Sequence, residues 1–187
     1  MGRVVYAMSV SLDGFMAGPD GDLGWHHVDG ELHEHFNEQL AAMSAFLDGR
    51  VTYELMASFW PTADEDPEAS PPVREFARIW RDMPKLVFSR TLERAGWGST
   101  VARDVVPDHI ARLKEESGGD LALGGARLAA TFLELGLVDE VRLYVNPVVL
   151  GAGQPMFRVP VPDLRLLETR RFGNGVVLLR YAVVAAA

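Results

Sequence analysis

The sequence predicts an α/β sandwich built on one mixed sheet, and three observations carry that expectation. Apolar, β-branched runs alternate with runs of helical periodicity from Arg3 to Leu135. Glycine, proline and acidic breaks separate them, as between successive strands and helices. After Asp139 the pattern changes to three strand-like runs, and "GNG" makes the last pair a hairpin. At 187 residues, with 48% hydrophobic and 24% charged positions, the chain can bury one ordinary core, so residues 1–187 read as a single domain.

Taken in order, "RVVYAMSVSL" (3–12) is a buried central strand that breaks at Asp13 and Gly14. "AGPDGDLGWHHVDG" (17–30) is a loop crowded with Gly, Asp and Pro, with Asp29 placed to cap the next helix. In that helix Leu32, Phe36, Leu40 and Met43 share one face. "SAFLDG" is a short strand; "RVTYELMASFW" is a helix that Pro61 stops. "PTADEDPEASPP" (61–72) reads as an exposed acidic loop or flap. Residues 73–81 form a helix, "KLVFS" a strand, and 107–117 a helix with Ile110 and Leu113 inward. "DLAL" is the strand that leads through Gly124 and Gly125 into a helix ending at Leu135. "EVRLYVNPVVL", "LRLLETRRF" and "VVLLRYAVV" complete the sheet.

Charge and composition exclude several functions. The net charge is −8 with no basic cluster, so nucleic acid is not an expected partner. There is no cysteine, hence no disulfide, thiolate zinc site or Cys nucleophile. No stretch has the length of a membrane span, and the first residues lack a signal-peptide pattern, so neither membrane nor secretion is expected and the cytoplasm is the default. Four histidines cluster at 26, 27, 33 and 35, but His33 and His35 point to different helix faces, and no metal is expected.

The chemistry-bearing signal is a strand that runs through two glycines into a helix. Uncapped N–H groups and the helix dipole would face an anion there, and missing side chains would let a diphosphate approach. A tight packing turn explains the same residues without a ligand. "GGARLA" is not the GxGxxG fingerprint, position 145 is Val rather than an acid, and a Walker loop is absent. Two further strand ends carry polar groups: "DGRVTYE", with Arg50 and Thr52 in a first helical turn, and "VFSRT", with Ser89 and Arg90. An Arg at a helix start is unfavourable to the dipole unless an anion pairs with it.

The succession "SLDGFMAGPDGDLGW", "GRVTYE", "VFSRT" and "LGGARLAATFLELGLVDEVRLYVNPVVLGAG" spans nearly the whole chain. It resembles the dihydrofolate reductase superfamily, most closely the stand-alone relatives of the reductase domain of bacterial riboflavin biosynthesis. The resemblance implies a dihydrofolate reductase-like three-layer sandwich, with a mixed, mostly parallel sheet and a C-terminal antiparallel hairpin. It implies NADPH as cofactor: Arg50, Ser89 and Arg90 near the 2′-phosphate, Thr52 by the diphosphate, and Gly124, Gly125, Ala126, Arg127 and Leu128 receiving diphosphate and nicotinamide ribose. Ser9, Met16 and Ala17 would meet the carboxamide, and Asp13, Phe15 and Trp25 would border the substrate. Asp13 equally suits a turn-shaping role before Gly14. The superfamily joins its paired glycines by a cis peptide bond. Its proton-donating acid stands in the first turn of the first helix, where Glu31 and Glu34 are the nearest candidates, outside any matching motif. The implied activity is an NADPH-dependent reductase acting on a small heterocyclic, ribosylaminopyrimidine- or pteridine-like substrate, working as a homodimer. The alternative is a non-catalytic NADP(H)-binding or sensor protein that retains the fold.

Overall fold

The computed structural model describes residues 1–161 and 163–184. In chain order its strands are β1 (Val4–Val10), β2 (Phe15–Ala17), β3 (Met43–Gly49), β4 (Lys85–Phe88), β5 (Ser99–Ala102), β6 (Asp120–Gly124), β7 (Glu140–Val145), β8 (Gln154–Pro155), β9 (Leu164–Arg171) and β10 (Val177–Val183). The helices are α1 (Gly30–Ala41), α2 (Arg50–Ala57), α3 (Pro71–Asp82), α4 (Pro107–Glu116) and α5 (Ala126–Glu134), with a 3-10 turn over Trp60–Glu65.

Eight strands form one sheet in the order β5-β4-β3-β6-β1-β7-β10-β9. The first six are mutually parallel, and β10 is antiparallel to both β7 and β9. This is the mixed, mostly parallel sheet with a C-terminal hairpin that the sequence predicts. β1 is central, and its alternation splits the core into layers. Val4 and Tyr6 pack with Ile110 of α4 and Phe132 of α5 on one face. On the other, Phe46 and Val87 pack with Phe76 and Trp80 of α3, and Tyr144 and Leu178 with Leu32 of α1. Asp29 caps α1, its Oδ1 accepting from Leu32 N at 2.9 Å.

Several boundaries move. α1 ends at Ala41, so Met43 opens β3 rather than closing the helical face. α2 ends at Ala57, and Pro61 lies inside the 3-10 turn instead of stopping a longer helix. Pro71 and Pro72 begin α3, where the missing N–H costs nothing. The acidic stretch is exposed from Glu65 to Glu68, as the sequence predicts, but it is tied down rather than a free flap: Pro61 and Ala63 are buried, Arg81 forks onto Asp64 with both bonds at 2.7 Å, and Arg74 donates to the carbonyls of Asp64, Asp66, Pro67 and Ala69. β7 stops at Val145, because the buried Asn146 turns its amide onto the carbonyls of Tyr144 and Val10. Two elements escape the sequence pattern, the edge strand β5 and the small β2–β8 pair. Among the described residues, no helix is long and apolar enough to cross a membrane.

Candidate functional site

Because β4, β3, β6 and β1 are adjacent and parallel, their C-terminal ends line one edge of the sheet in that order. At two of them the chain passes directly into a helix, with Gly49 as N-cap of α2 and Gly125 as N-cap of α5. Neither helix has a side-chain cap or an acid in its first turn, so the leading N–H groups stay available to an anion. Gly125 has φ 91° and ψ 127°, a conformation that side-chain-bearing residues avoid. A Cβ at Gly125 would lie 2.6 Å from Thr52 Oγ1, and one at Gly124 would collide with Asp48 Oδ1. The paired glycines therefore let β6 and α5 close onto β3 and α2, and they leave the turn bare. The expected cis bond is not present: no cis peptide occurs among the described residues, and the positive φ of Gly125 makes the turn.

One strand further along, Ser89, Arg90 and Leu128 line a groove of about 200 Å³ together with Arg103 and Asp104. Ser89 Oγ accepts from the N–H groups of Leu92 (2.9 Å) and Thr91 (3.3 Å), which fixes the bend after β4. Arg103 Nη1 donates to the carbonyls of Ser89 (2.9 Å) and Leu92 (2.8 Å), pinning that bend to the end of β5. Arg90 donates from Nε (3.2 Å) and Nη2 (2.7 Å) to Asp104 Oδ1. A Cβ on Gly49 would stand 3.8 Å from Leu128 Cβ, so the groove and the glycine turn adjoin through Leu128. Arg50 instead donates to Glu54 at 2.8 Å, and its charge at the start of α2 is balanced by its own helix. Ala126 is buried and Arg127 exposed. Arg103 and Asp104 were not marked by the sequence; they reach the groove through the short strand β5, which has little apolar pattern of its own.

Asp48 is the buried charge of this edge. It lies against Gly124 and is 4% exposed. Burial pushes its carboxyl up to about 7, with Lys85 pulling it back part of the way. A carboxyl whose folded-state pKa is raised gives its full stability below the unfolded value and loses it as pH rises through the folded value. Wild type should therefore lose stability between about pH 4 and pH 7, by a few kcal/mol at most. Asp48→Asn should flatten that slope and be the more stable protein at pH 8. Urea unfolding of both at pH 5 and pH 8 checks this; parallel pH profiles would refute it.

At the β1 end, Ser9 is half-buried and pairs in register with Tyr144. Phe15 and Met16 are half-buried on β2, and the Ala17 carbonyl packs against Gly153, where a Cβ would collide. Asp13 is a tie between loops: hydrogen bonding with Ser11, and then with Gly151 N and Leu150 N, holds its carboxyl down to about 2. The local turn before Phe15 is made instead by Ser11, whose Oγ accepts from Phe15 N at 3.0 Å and whose carbonyl accepts from Gly14 N at 3.0 Å, so Asp13 joins distant loops rather than shaping its own turn. Trp25 is half-buried, with Nε1 donating to the Asp22 carbonyl at 3.0 Å and its ring edge-on to His26 at 4.2 Å. The Glu31 carboxylate accepts from Gly173 N at 3.0 Å and meets Arg170 at 3.5 Å, joining α1 to the β9–β10 turn; Glu34 is exposed. His35 is buried. Since Arg170 can only donate to Nδ1 (3.2 Å), the His35 proton sits on Nε2 and is given to Tyr144 Oη at 3.2 Å. Burial lowers its pKa, in keeping with that neutral form.

Comparison with known proteins agrees with this fold. Residues 3–178 match the family model of the RibD C-terminal domain. The chain is 35% identical over 183 residues to the uncharacterized Bacillus subtilis protein YyaP, covering 96% of this chain and 94% of that one. A Shewanella sp. PV-4 protein named for riboflavin biosynthesis shares the fold with a TM-score of 0.74 at 20% identity, over 98% of this chain and 99% of that one. The Thermotoga maritima diaminohydroxyphosphoribosylaminopyrimidine deaminase/5-amino-6-(5-phosphoribosylamino)uracil reductase gives 0.66 at 19% identity, with 98% of this chain matching 57% of its length.

Proposed function

The chain belongs to the RibD C-terminal domain family, and from that premise we propose that it is an NADPH-dependent reductase of a small heterocyclic, ribosylaminopyrimidine- or pteridine-like substrate. The supporting observation is the continuity of the strand-end edge: Ser89 and Arg90, then Leu128, then Thr52 with Gly124 and Gly125. Such an edge fits an extended anionic dinucleotide. A guanidinium lies at one end, and uncapped helix N-termini over bare glycines lie in the middle. Arg90 and Ser89 would hold the 2′-phosphate, and the α2 and α5 N-termini the diphosphate. Ser9, Met16 and Ala17 would meet the nicotinamide amide beyond β1. When bound, the cofactor supplies the hydride, and the protein's part is to orient and screen it. Phe15 and Trp25 would flank the substrate side, where a flat ring can stack. Arg50 enters this reading only by leaving Glu54.

Fluorescence titration tests the reading directly. Wild type should bind NADPH saturably, and Arg90→Ala should weaken NADPH about tenfold while changing NADH by less than about twofold. Oxidation of NADPH in the presence of ribosylaminopyrimidines, pteridines or small carbonyls would then separate a reductase from a protein that only holds the dinucleotide. Absence of saturable binding to either nucleotide would remove the proposal.

A further inference from the structure

The groove that holds Arg90 contains an acid with no role in the reading above. Asp104 follows β5, is 60% exposed at its side chain, and accepts both the Nε and the Nη2 of Arg90 on Oδ1, at 3.2 and 2.7 Å. These two N–H groups are the fork with which a guanidinium grips a phosphate. Arg103, the other guanidinium of the groove, is held by the Ser89 and Leu92 carbonyls through Nη1. Arg90 is the exposed, side-chain-paired cation here, and Asp104 already occupies its fork. A phosphate that takes the fork must displace a carboxylate and then remain beside it in the same 200 Å³ groove. A hydroxyl at that position would meet an acceptor instead. Specificity of this kind is a difference between two affinities, and a fixed like charge acts on only one of them.

We propose that Asp104 sets the discrimination between 2′-phosphorylated and unphosphorylated dinucleotides by competing with the 2′-phosphate for Arg90. The inference rests on the dinucleotide reading of the groove and adds a residue that opposes the preferred cofactor. It implies a selectivity for NADPH lower than Arg90 alone would confer. It also implies that the opposition acts through Arg90 and not through the general negative charge of the protein.

The test is a set of titrations with NADPH and NADH on wild type, Asp104→Asn, Arg90→Ala and the double variant, at low and moderate salt. Asparagine keeps the size of the side chain and removes its charge, and the position is exposed, so folding is preserved; circular dichroism verifies it. Asp104→Asn should tighten NADPH about five- to tenfold at low salt, with less gain at higher salt, and leave NADH within about twofold. In the Arg90→Ala background the same substitution should change the NADPH-to-NADH ratio by about twofold or less, the part left by direct repulsion between Asp104 and the phosphate. Equal changes for both nucleotides, or an undiminished gain without Arg90, would overturn the inference while leaving the cofactor reading intact. Failure of all four proteins to bind either nucleotide would overturn both.

Discussion

Gly125→Ala should be among the most damaging single substitutions at the strand-end edge, lowering stability by about 2–5 kcal/mol and weakening NADPH binding more than tenfold. Two costs combine. The backbone at φ 91° and ψ 127° lies outside the left-handed helical region that a non-glycine residue can occupy at moderate cost. The added methyl would also stand 2.6 Å from Thr52 Oγ1, closer than carbon and oxygen can approach. Relief of either cost moves the first turn of α5 away from α2, and those two helix starts are the proposed seat of the diphosphate. Thr52→Ala separates the contributions: in that background Gly125→Ala should regain the steric part of its loss and keep the conformational part. Urea unfolding of the four proteins, followed by NADPH titration, measures both. A Gly125→Ala protein that binds NADPH like wild type would show that the diphosphate does not lie on this turn.

The parts of the fold legible in the sequence are those whose signal is local. β1, β3, β4 and β6 are covered on both faces and so read as apolar runs, and Asp29 stands where a cap should stand. β5 has one neighbour in the sheet and needs little apolar surface, so "STVA" carries no strand pattern. The β2–β8 pair depends on the approach of Gly153 to Ala17, residues far apart in the chain. The acidic loop is exposed as its composition says, but its order is not legible there because it comes from Arg74 and Arg81 on the following helix, which satisfy its carbonyls and Asp64. The same distinction governs the site. The glycine pair announces itself at a strand-to-helix junction, but its contacts with Asp48 and Thr52, and the arrival of Arg103 and Asp104 beside Arg90, are set by strand order. Arg50 shows the reverse case: a helix-start arginine asks for an external anion when read from sequence, and Glu54 one turn on provides the charge.

The opposite edge of the sheet should govern stability without touching the cofactor. Glu140 opens β7 and is 1% exposed, with Oε1 accepting from Arg142 Nε (2.6 Å) and Arg180 Nε (3.0 Å) and Oε2 from Arg3 Nη1 (2.6 Å). Burial pushes this carboxyl up, but the hydrogen bonds from Arg180 and Arg142 outweigh it, and the group sits below the ordinary glutamate range. Glu140→Gln would leave Arg142, 5% exposed, with Gln39 Oε1 at 2.8 Å but without its counter-charge. Removing one member of a buried ion set costs about 3–5 kcal/mol, because the remaining charge stays desolvated. A depressed carboxyl contributes its stability above the unfolded pKa and loses it as pH falls through the folded value, so the deficit should be full at pH 7 and shrink below about pH 4 as wild type loses the same interaction. Since Glu140 pairs with Val5 near the start of β1, and the candidate site lies at the strands' other ends, NADPH affinity should be unchanged wherever the variant is folded. Thermal unfolding across pH, with NADPH titration at low temperature, separates the two edges: a loss of affinity matching the loss of stability would mean that the sheet transmits strain along its strands.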